Sequence, residues 1–97
     1  MKRKDIDIIC IEFNAICIYK FGNNNSINDI DLVIVSNSFE GISIYKRKLL
    51  IKKNNNKIDP ICLTEIEFER FKISKSSLWK ELLEKGDLIY GVEKRYN

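Results

Sequence analysis

Two aspartates stand two residues apart at the start of an apolar run, and this spacing could support metal chemistry. They are Asp29 and Asp31, in the segment NDIDLVIVS of residues 28–36. Alternate residues of a β-strand point to the same side, so both carboxylates are expected to lie together where a strand meets a loop. Two negative charges ~4 Å apart repel by roughly 4 kcal/mol at an effective dielectric of 20. A divalent cation is the usual partner that offsets such repulsion.

A third carboxylate, Asp59, falls inside the apolar segment KIDPICL of residues 57–63. A charge in an apolar strand is costly without a partner. If this strand neighbours the one that carries Asp31, three carboxylates converge at one end of a sheet. Such oxygen ligands suit Mg²⁺, and the site would support two-metal phosphoryl transfer. Two simpler interpretations stay open, in which Asp29 caps a turn or helix and Asp59 pairs with a lysine.

The composition restricts the remaining chemistry, because the chain contains no histidine. Ser-His-Asp and Cys-His catalysis are thereby excluded, as are most zinc hydrolase sites. The three cysteines, Cys10, Cys17 and Cys62, lie among isoleucines without CxxC spacing, so each is expected to be a small buried side chain. The net charge of +3 does not by itself argue for a nucleic-acid partner.

The length of 97 residues predicts one small domain that covers residues 1–97. No apolar run reaches the ~18–20 residues of a membrane span. The basic start of the chain is interrupted by Asp5 and Asp7, which argues against a signal peptide. The sequence therefore predicts a cytoplasmic protein with no membrane segment.

Hydrophobic spacing and turn residues predict an α+β (α/β) fold, with a small mixed β-sheet and helices packed on it. The predicted strands are residues 15–21, 30–36, 57–63 and 87–92. The first two should be antiparallel if they are neighbours, because their link is too short for a parallel crossover. The predicted helices are residues 4–13 (where strand alternation fits equally), residues 43–53, one that Thr64 and Glu67 cap, and one from Ser76 or Ser77 to Gly86.

The predicted helix of residues 43–53 combines a moderate apolar stripe with a strongly basic side. The stripe consists of Ile44, Tyr45, Leu49 and Ile51, and the basic side consists of Lys46, Arg47, Lys48, Lys52 and Lys53. This pattern is typical of an amphipathic helix whose charges face solvent. A nucleic-acid interface on the basic side is a third, disfavoured hypothesis about function, after the two given below.

The order of these elements resembles the minimal nucleotidyltransferase domain of the DNA polymerase β superfamily. That family has an apolar strand ending in Gly-Ser, a loop, the motif SDIDLhV (h, hydrophobic), a helix, and a strand with a third aspartate. The matching residues here are Phe21-Gly22, the run from Asn28 to Val33, and Ile58-Asp59, and the resemblance covers nearly the whole chain. The loop departs from the family pattern in three ways. It is shorter, with only seven positions from Gly22 to Asp29, Asn23 stands where the family has serine, and no arginine lies between Gly22 and Asp31.

The resemblance implies a role for each matching residue. Asp29 and Asp31 would ligate the Mg²⁺ ions of a two-metal site that holds a nucleoside triphosphate. Asp59 would complete one metal site and help to deprotonate the attacking hydroxyl. Gly22 would let the backbone approach the phosphates, and Asn23 and Ser26 would offer polar groups to them. The implied reaction transfers a nucleoside monophosphate to a hydroxyl and releases pyrophosphate. AMP, taken from ATP, is the first candidate for the transferred group.

The resemblance also implies partners. Small members of this family often act with a helical partner of the HEPN type, as antitoxins that transfer AMP to it. The shortened loop favours an alternative, in which a catalytically degenerate domain acts by protein–protein contact alone. The oligomeric state, including a homo-oligomer, stays open.

Overall fold

The apolar patterns of the chain form four β-strands and four α-helices in the computed structural model, which describes residues 3–21, 30–74 and 76–91. The helices are α1 (Arg3–Phe13), α2 (Ile44–Lys52), α3 (Glu65–Ile73) and α4 (Ser77–Lys85). The strands are β1 (Cys17–Phe21), β2 (Ile30–Val35), β3 (Ile58–Leu63) and β4 (Asp87–Gly91), and a 3₁₀ turn follows β2 at Asn37–Phe39. The predicted elements are confirmed, with ends that differ by one or two residues. The predicted end of the last strand, Val92, lies outside the described residues.

The strands form one mixed sheet in the order β3-β2-β1-β4. The strand β1 is antiparallel to both β2 and β4, whereas β2 and β3 are parallel. The predicted antiparallel pairing of the first two strands is confirmed. The link between β2 and β3 contains α2, which gives the chain the length that a parallel crossover needs. Pro60 lies in β3 at the edge of the sheet, where its missing N–H is tolerated.

Helices cover both faces of the sheet, and each face has its own apolar cluster. The first cluster joins α1 and α2 to one face, and its buried members include Ile9, Phe13, Ile18, Leu32, Ile34, Phe39, Ile51 and Ile58. The second joins α3 and α4 to the other face and includes Tyr19, Val33, Val35, Phe68 and Leu82, with Trp79 packed against it. Along β2, even-numbered residues therefore face α1 and α2, and odd-numbered residues face α3 and α4.

The helix ends follow local signals in the sequence. Asn14 has a φ of 48° and ends α1, a conformation that asparagine tolerates better than most residues. Thr64 and Glu67 form the predicted capping box of α3, in which each side chain accepts a hydrogen bond from the other residue's backbone N–H. The Ser76 side chain caps α4, and Gly86 follows its last turn.

The packing of α2 differs from the prediction. Three members of the predicted apolar stripe are exposed, since Ile44, Tyr45 and Leu49 keep 58%, 72% and 48% of their surface accessible. Ile51 is buried as predicted, but the side chain beside it in the interior is Arg47, which is only 5% exposed. Arg47 can occupy that position because neighbouring carbonyls and a carboxylate satisfy its guanidinium.

The cysteines are free thiols rather than members of a reactive group. Cys17 and Cys62 are buried as predicted, whereas Cys10 is only partly buried. Burial raises the pKa of Cys62 to about 12, so this thiol stays neutral and unreactive at ordinary pH. The helices in the described ranges are all too short or too polar to cross a bilayer.

Gly91 ends β4 at a close approach to β1, and we expect its replacement by alanine to be strongly destabilising. Its φ of 89° disfavours any side chain, and an added Cβ would lie 2.8 Å from Cys17 Cα and closer still to the Ile16 carbonyl oxygen. Backbone strain and the clash together should lower the free energy of unfolding by about 3 kcal/mol. Urea denaturation followed by circular dichroism measures this change.

Gly41 is the matched control for that experiment. It also has a positive φ, 77°, but an added Cβ would meet nothing within 4 Å. Gly41→Ala should therefore cost only the conformational strain, about 1 kcal/mol. Equal losses for the two variants would show that the contact between Gly91 and β1 does not matter.

Candidate functional site

Two of the predicted site residues, Asp31 and Asp59, stand side by side in the sheet. They are register partners on the parallel strands β2 and β3, and each is the second residue of its strand. Adjacent strands lie about 4.8 Å apart, and register partners in a sheet point to the same face. Both residues are partly buried. The condition on which the sequence prediction depended, that these two strands are neighbours, is therefore met.

The two aspartates lie at the margin of the apolar layer under α3 and α4. The next residues on the same face are Val33 on β2 and Ile61 on β3, which belong to or pack against that layer. On the other side of β2, Asp31 pairs with Phe21, the last residue of β1. The end of β1 and the starts of β2 and β3 therefore lie together at this end of the sheet. Apolar side chains border the two aspartates on one side.

A lysine from α2 contacts one of the two carboxylates. The Lys48 Nζ atom lies 2.8 Å from Asp59 Oδ1, and the two side chains are 43% and 47% exposed. The hydrogen bond to Asp59, together with its charge, raises the pKa of Lys48. The structure thus contains the contact of the simpler interpretation from the sequence, in which Asp59 pairs with a lysine.

The position of Lys48 is set by its neighbour Arg47. The Arg47 guanidinium donates to the carbonyl of Cys62 on β3 at 3.1 Å, to the carbonyl of Ile42 at 2.8 Å and to Glu67 Oε1 on α3 at 2.6 Å. These contacts tie α2 to the edge strand β3 and to α3. The backbone of Lys48 is consequently held beside β3, and its side chain can reach the face that carries Asp59.

Glu67 accepts hydrogen bonds both from α2 and from the start of α3. It accepts the Thr64 N–H at 2.7 Å within the capping box, and it accepts from Arg47. The hydrogen bond from Arg47 is the main reason that the pKa of Glu67 is lowered, and partial burial opposes this effect. The arrangement connects the start of α3 to the helix that presents Lys48. The sequence indicated the capping box but not this second role.

The other predicted site residues, Gly22, Asn23, Ser26 and Asp29, lie outside the described residues. Within the described ranges, no group of three or more His, Cys, Asp or Glu residues could hold a metal ion. The Asp31 and Asp59 pair nevertheless offers the hard oxygen donors that Mg²⁺ prefers. The Lys48 ammonium also shows that the space beside Asp59 accepts a cation. The two described carboxylates are therefore of the donor type that a divalent ion takes, and Asp29 stays the predicted third carboxylate.

Most basic side chains of α2 make contacts within the molecule. Arg47 is buried, Lys48 pairs with Asp59, and the Lys52 ammonium donates to the carbonyls of Asn56 and Ile58. Within the described part of the chain, Lys46 and Lys53 are the members of this run without such a contact. This leaves a weaker basic surface than the sequence suggested, which further disfavours the nucleic-acid hypothesis.

The fold is similar to that of a known protein. The chain matches the crystal structure of a putative nucleotidyltransferase from Sulfolobus solfataricus with a TM-score of 0.60 over 97% of this chain and 80% of that chain. The sequence identity is 18%, so this likeness concerns the fold. No family model matches the sequence. No curated protein matches it either. The chain therefore has a nucleotidyltransferase-like fold, in agreement with the predicted α+β architecture.

Proposed function

We propose that this chain is a metal-dependent nucleotidyltransferase that uses a nucleoside triphosphate. The observation that carries the proposal is the register pairing of Asp31 with Asp59, at the edge of the sheet to which the predicted phosphate loop connects. Paired carboxylates have an immediate chemical use in metal-dependent phosphoryl transfer, and the nucleotidyltransferase-like fold favours that use here.

In this proposal each carboxylate has a defined task. Asp31 and Asp29 would hold the metal ions that bind the triphosphate, and Mg²⁺ would supply charge neutralisation on the phosphates. Asp59 would complete one metal site and accept the proton of the attacking hydroxyl. A bond would then form between that hydroxyl oxygen and the α-phosphorus, and pyrophosphate would leave. Gly22, Asn23 and Ser26 would contact the phosphates.

The finer features of the proposal concern substrate and acceptor. ATP is the first candidate, with AMP transferred to a hydroxyl on a partner protein, as in toxin–antitoxin pairs that contain a helical HEPN-type protein. Support for this comes from the resemblance of the DIDLVIV segment and of the third aspartate to that family.

Binding of ATP and GTP with and without Mg²⁺, measured by titration calorimetry, tests the proposal. The wild-type chain should bind one of them only with Mg²⁺, with an affinity in the common substrate range of about 1 μM–1 mM. Asp31→Asn removes a metal-binding charge with little change of shape, so the affinity should fall at least about tenfold. Binding that does not depend on Mg²⁺ or on Asp31 would refute the metal-dependent assignment.

Asp87→Asn is a matched control for this titration. Asp87 is an exposed carboxylate at the start of β4, on the opposite edge strand from Asp59 but at the same end of the sheet, and its register partner is Lys20. The substitution makes the same change of charge and size outside the proposed site. The Asp87→Asn variant should therefore bind the Mg²⁺–nucleotide complex like the wild type.

The contact between Lys48 and Asp59 supports a second candidate function. An ammonium 2.8 Å from Asp59 is also what a degenerate site would retain as a structural ion pair. In this alternative the domain acts by protein–protein contact, as an antitoxin or regulatory subunit. Absence of nucleotide binding at millimolar concentration, together with partner binding that Asp31→Asn leaves unchanged, would favour this alternative.

A further inference from the structure

We propose that Lys48 is an internal competitor for the metal ion, so that a divalent cation must displace its ammonium from Asp59 in order to bind. This inference rests on the proposed function, because it concerns the same pair of carboxylates. It goes further by assigning a role in metal uptake to a residue of α2 that lies outside the aspartate motifs.

The geometry places Lys48 where it can both occupy the site and leave it. Its Nζ atom contacts Asp59 Oδ1 at 2.8 Å, and 43% of its side chain remains exposed. The base of the side chain is fixed, since Arg47 binds α2 to β3 and α3, and Ile51 lies in the core. Lysine has a flexible four-carbon stem, so the ammonium can withdraw without any movement of the helix.

The charges explain why such a competitor is useful. Asp31 and Asp59 are register partners about one strand spacing apart, so their negative charges repel each other. The Lys48 ammonium offsets that repulsion and also occupies an oxygen that a metal ion would need. Removal of the ammonium should therefore leave Asp59 more accessible to a divalent cation.

The test is binding of Mn²⁺ without nucleotide, measured from the electron paramagnetic resonance signal of free Mn²⁺. Lys48→Met keeps most of the unbranched side chain and removes its charge. Because exposed ion pairs of this kind are weak, we expect Lys48→Met to bind Mn²⁺ about two- to five-fold more tightly than the wild type. Lys48→Arg keeps a cation beside Asp59 and should bind Mn²⁺ much as the wild type does.

Two further variants separate competition from a general effect of charge. Lys46→Met removes a positive charge from the same helix at an exposed position, and it should change Mn²⁺ affinity less than Lys48→Met. In a chain that already carries Asp59→Asn, Lys48→Met should no longer change Mn²⁺ affinity, because the ion pair between Lys48 and Asp59 is already absent. A Lys48→Met effect no larger than that of Lys46→Met, or one that persists with Asp59→Asn, would overturn the inference.

Failure of this inference and failure of the proposed function give different results. If the wild type binds Mn²⁺ through Asp31 but Lys48→Met has the same affinity, only the inference about Lys48 is wrong. If neither the wild type nor Lys48→Met binds Mn²⁺ without nucleotide, the inference about Lys48 is wrong, whereas the proposed function is still decided by the Mg²⁺-dependent titration with ATP and GTP.

Discussion

Replacing Asp59 with asparagine is expected to lower the rate of nucleotidyl transfer by a factor on the order of 10²–10⁴, with a much smaller effect on the binding of Mg²⁺–triphosphate. In the proposed mechanism Asp59 accepts the proton of the attacking hydroxyl, and positioned acid–base groups usually contribute a factor of this size. In the same proposal, Asp29 and Asp31 contribute more than Asp59 to triphosphate binding. The measurement is pyrophosphate release in the presence of an extract from cells that express the protein, which supplies the acceptor.

Asp87→Asn again serves as the control, since it changes an exposed carboxylate at the same end of the sheet but outside the proposed site. A transfer rate for Asp59→Asn within about threefold of the wild type would remove Asp59 from the proposed mechanism. Equal losses of transfer and of triphosphate binding would assign Asp59 to substrate binding instead. Circular dichroism of each variant establishes that the fold is retained.

Replacing Arg47 with methionine is expected to lower the free energy of unfolding by about 3 kcal/mol. The guanidinium is buried and bonds Cys62 on β3 and Glu67 on α3, so its loss leaves polar groups without their partner. Glu67 is 35% exposed, and water can therefore replace part of the lost contact. For this reason we place the effect at the lower end of the range for broken buried pairs. Urea denaturation measures the change.

The same variant should change how stability depends on acidity. The Arg47 hydrogen bond holds the pKa of Glu67 below its ordinary value, so the pair contributes fully above the pKa of an unfolded glutamate. This contribution is lost as the pH falls through the lower pKa of the folded chain. As the pH falls, the free energy of unfolding of the wild type should therefore decrease more steeply than that of Arg47→Met. The difference in free energy of unfolding between the two proteins should become smaller below about pH 4.

Arg70→Met provides the comparison for the stability experiment. Arg70 is exposed on α3, and in the described part of the chain its side chain makes no ion pair. Its replacement should change the free energy of unfolding by no more than about 0.5 kcal/mol. A loss for Arg47→Met as small as that of Arg70→Met would mean that the buried guanidinium does not connect the two helices.

Local signals in the sequence were sufficient to predict most elements of the fold. The capping box of Thr64 and Glu67, the asparagine that ends α1 and the short link between β1 and β2 act within a few residues of chain. Such signals are strong because each depends on backbone geometry that neighbouring residues alone determine. The pairing direction of β1 and β2 followed from them, and so did the start of α3.

The orientation of α2 could not be derived in this way. Its apolar residues suggested one buried side, yet Tyr45 and Leu49 are exposed and Arg47 is buried. Burial of an arginine depends on acceptors that come from Cys62 and Glu67, 15 and 20 residues further along the chain. Hydrophobic periodicity contains no information about such partners, so it assigned the whole basic run to solvent.

The sequence by itself identified Asp31 and Asp59 as candidates for a functional site, because a charged side chain beside buried strand residues is costly without a partner. It did not determine that they are register partners, since that depends on which strands are neighbours and in which direction they run. Only the tertiary structure decided that Lys48 pairs with Asp59, because α2 must first be held at the edge of β3. The residue types come from local sequence, whereas the distances between them come from long-range packing, which spacing along the chain does not encode.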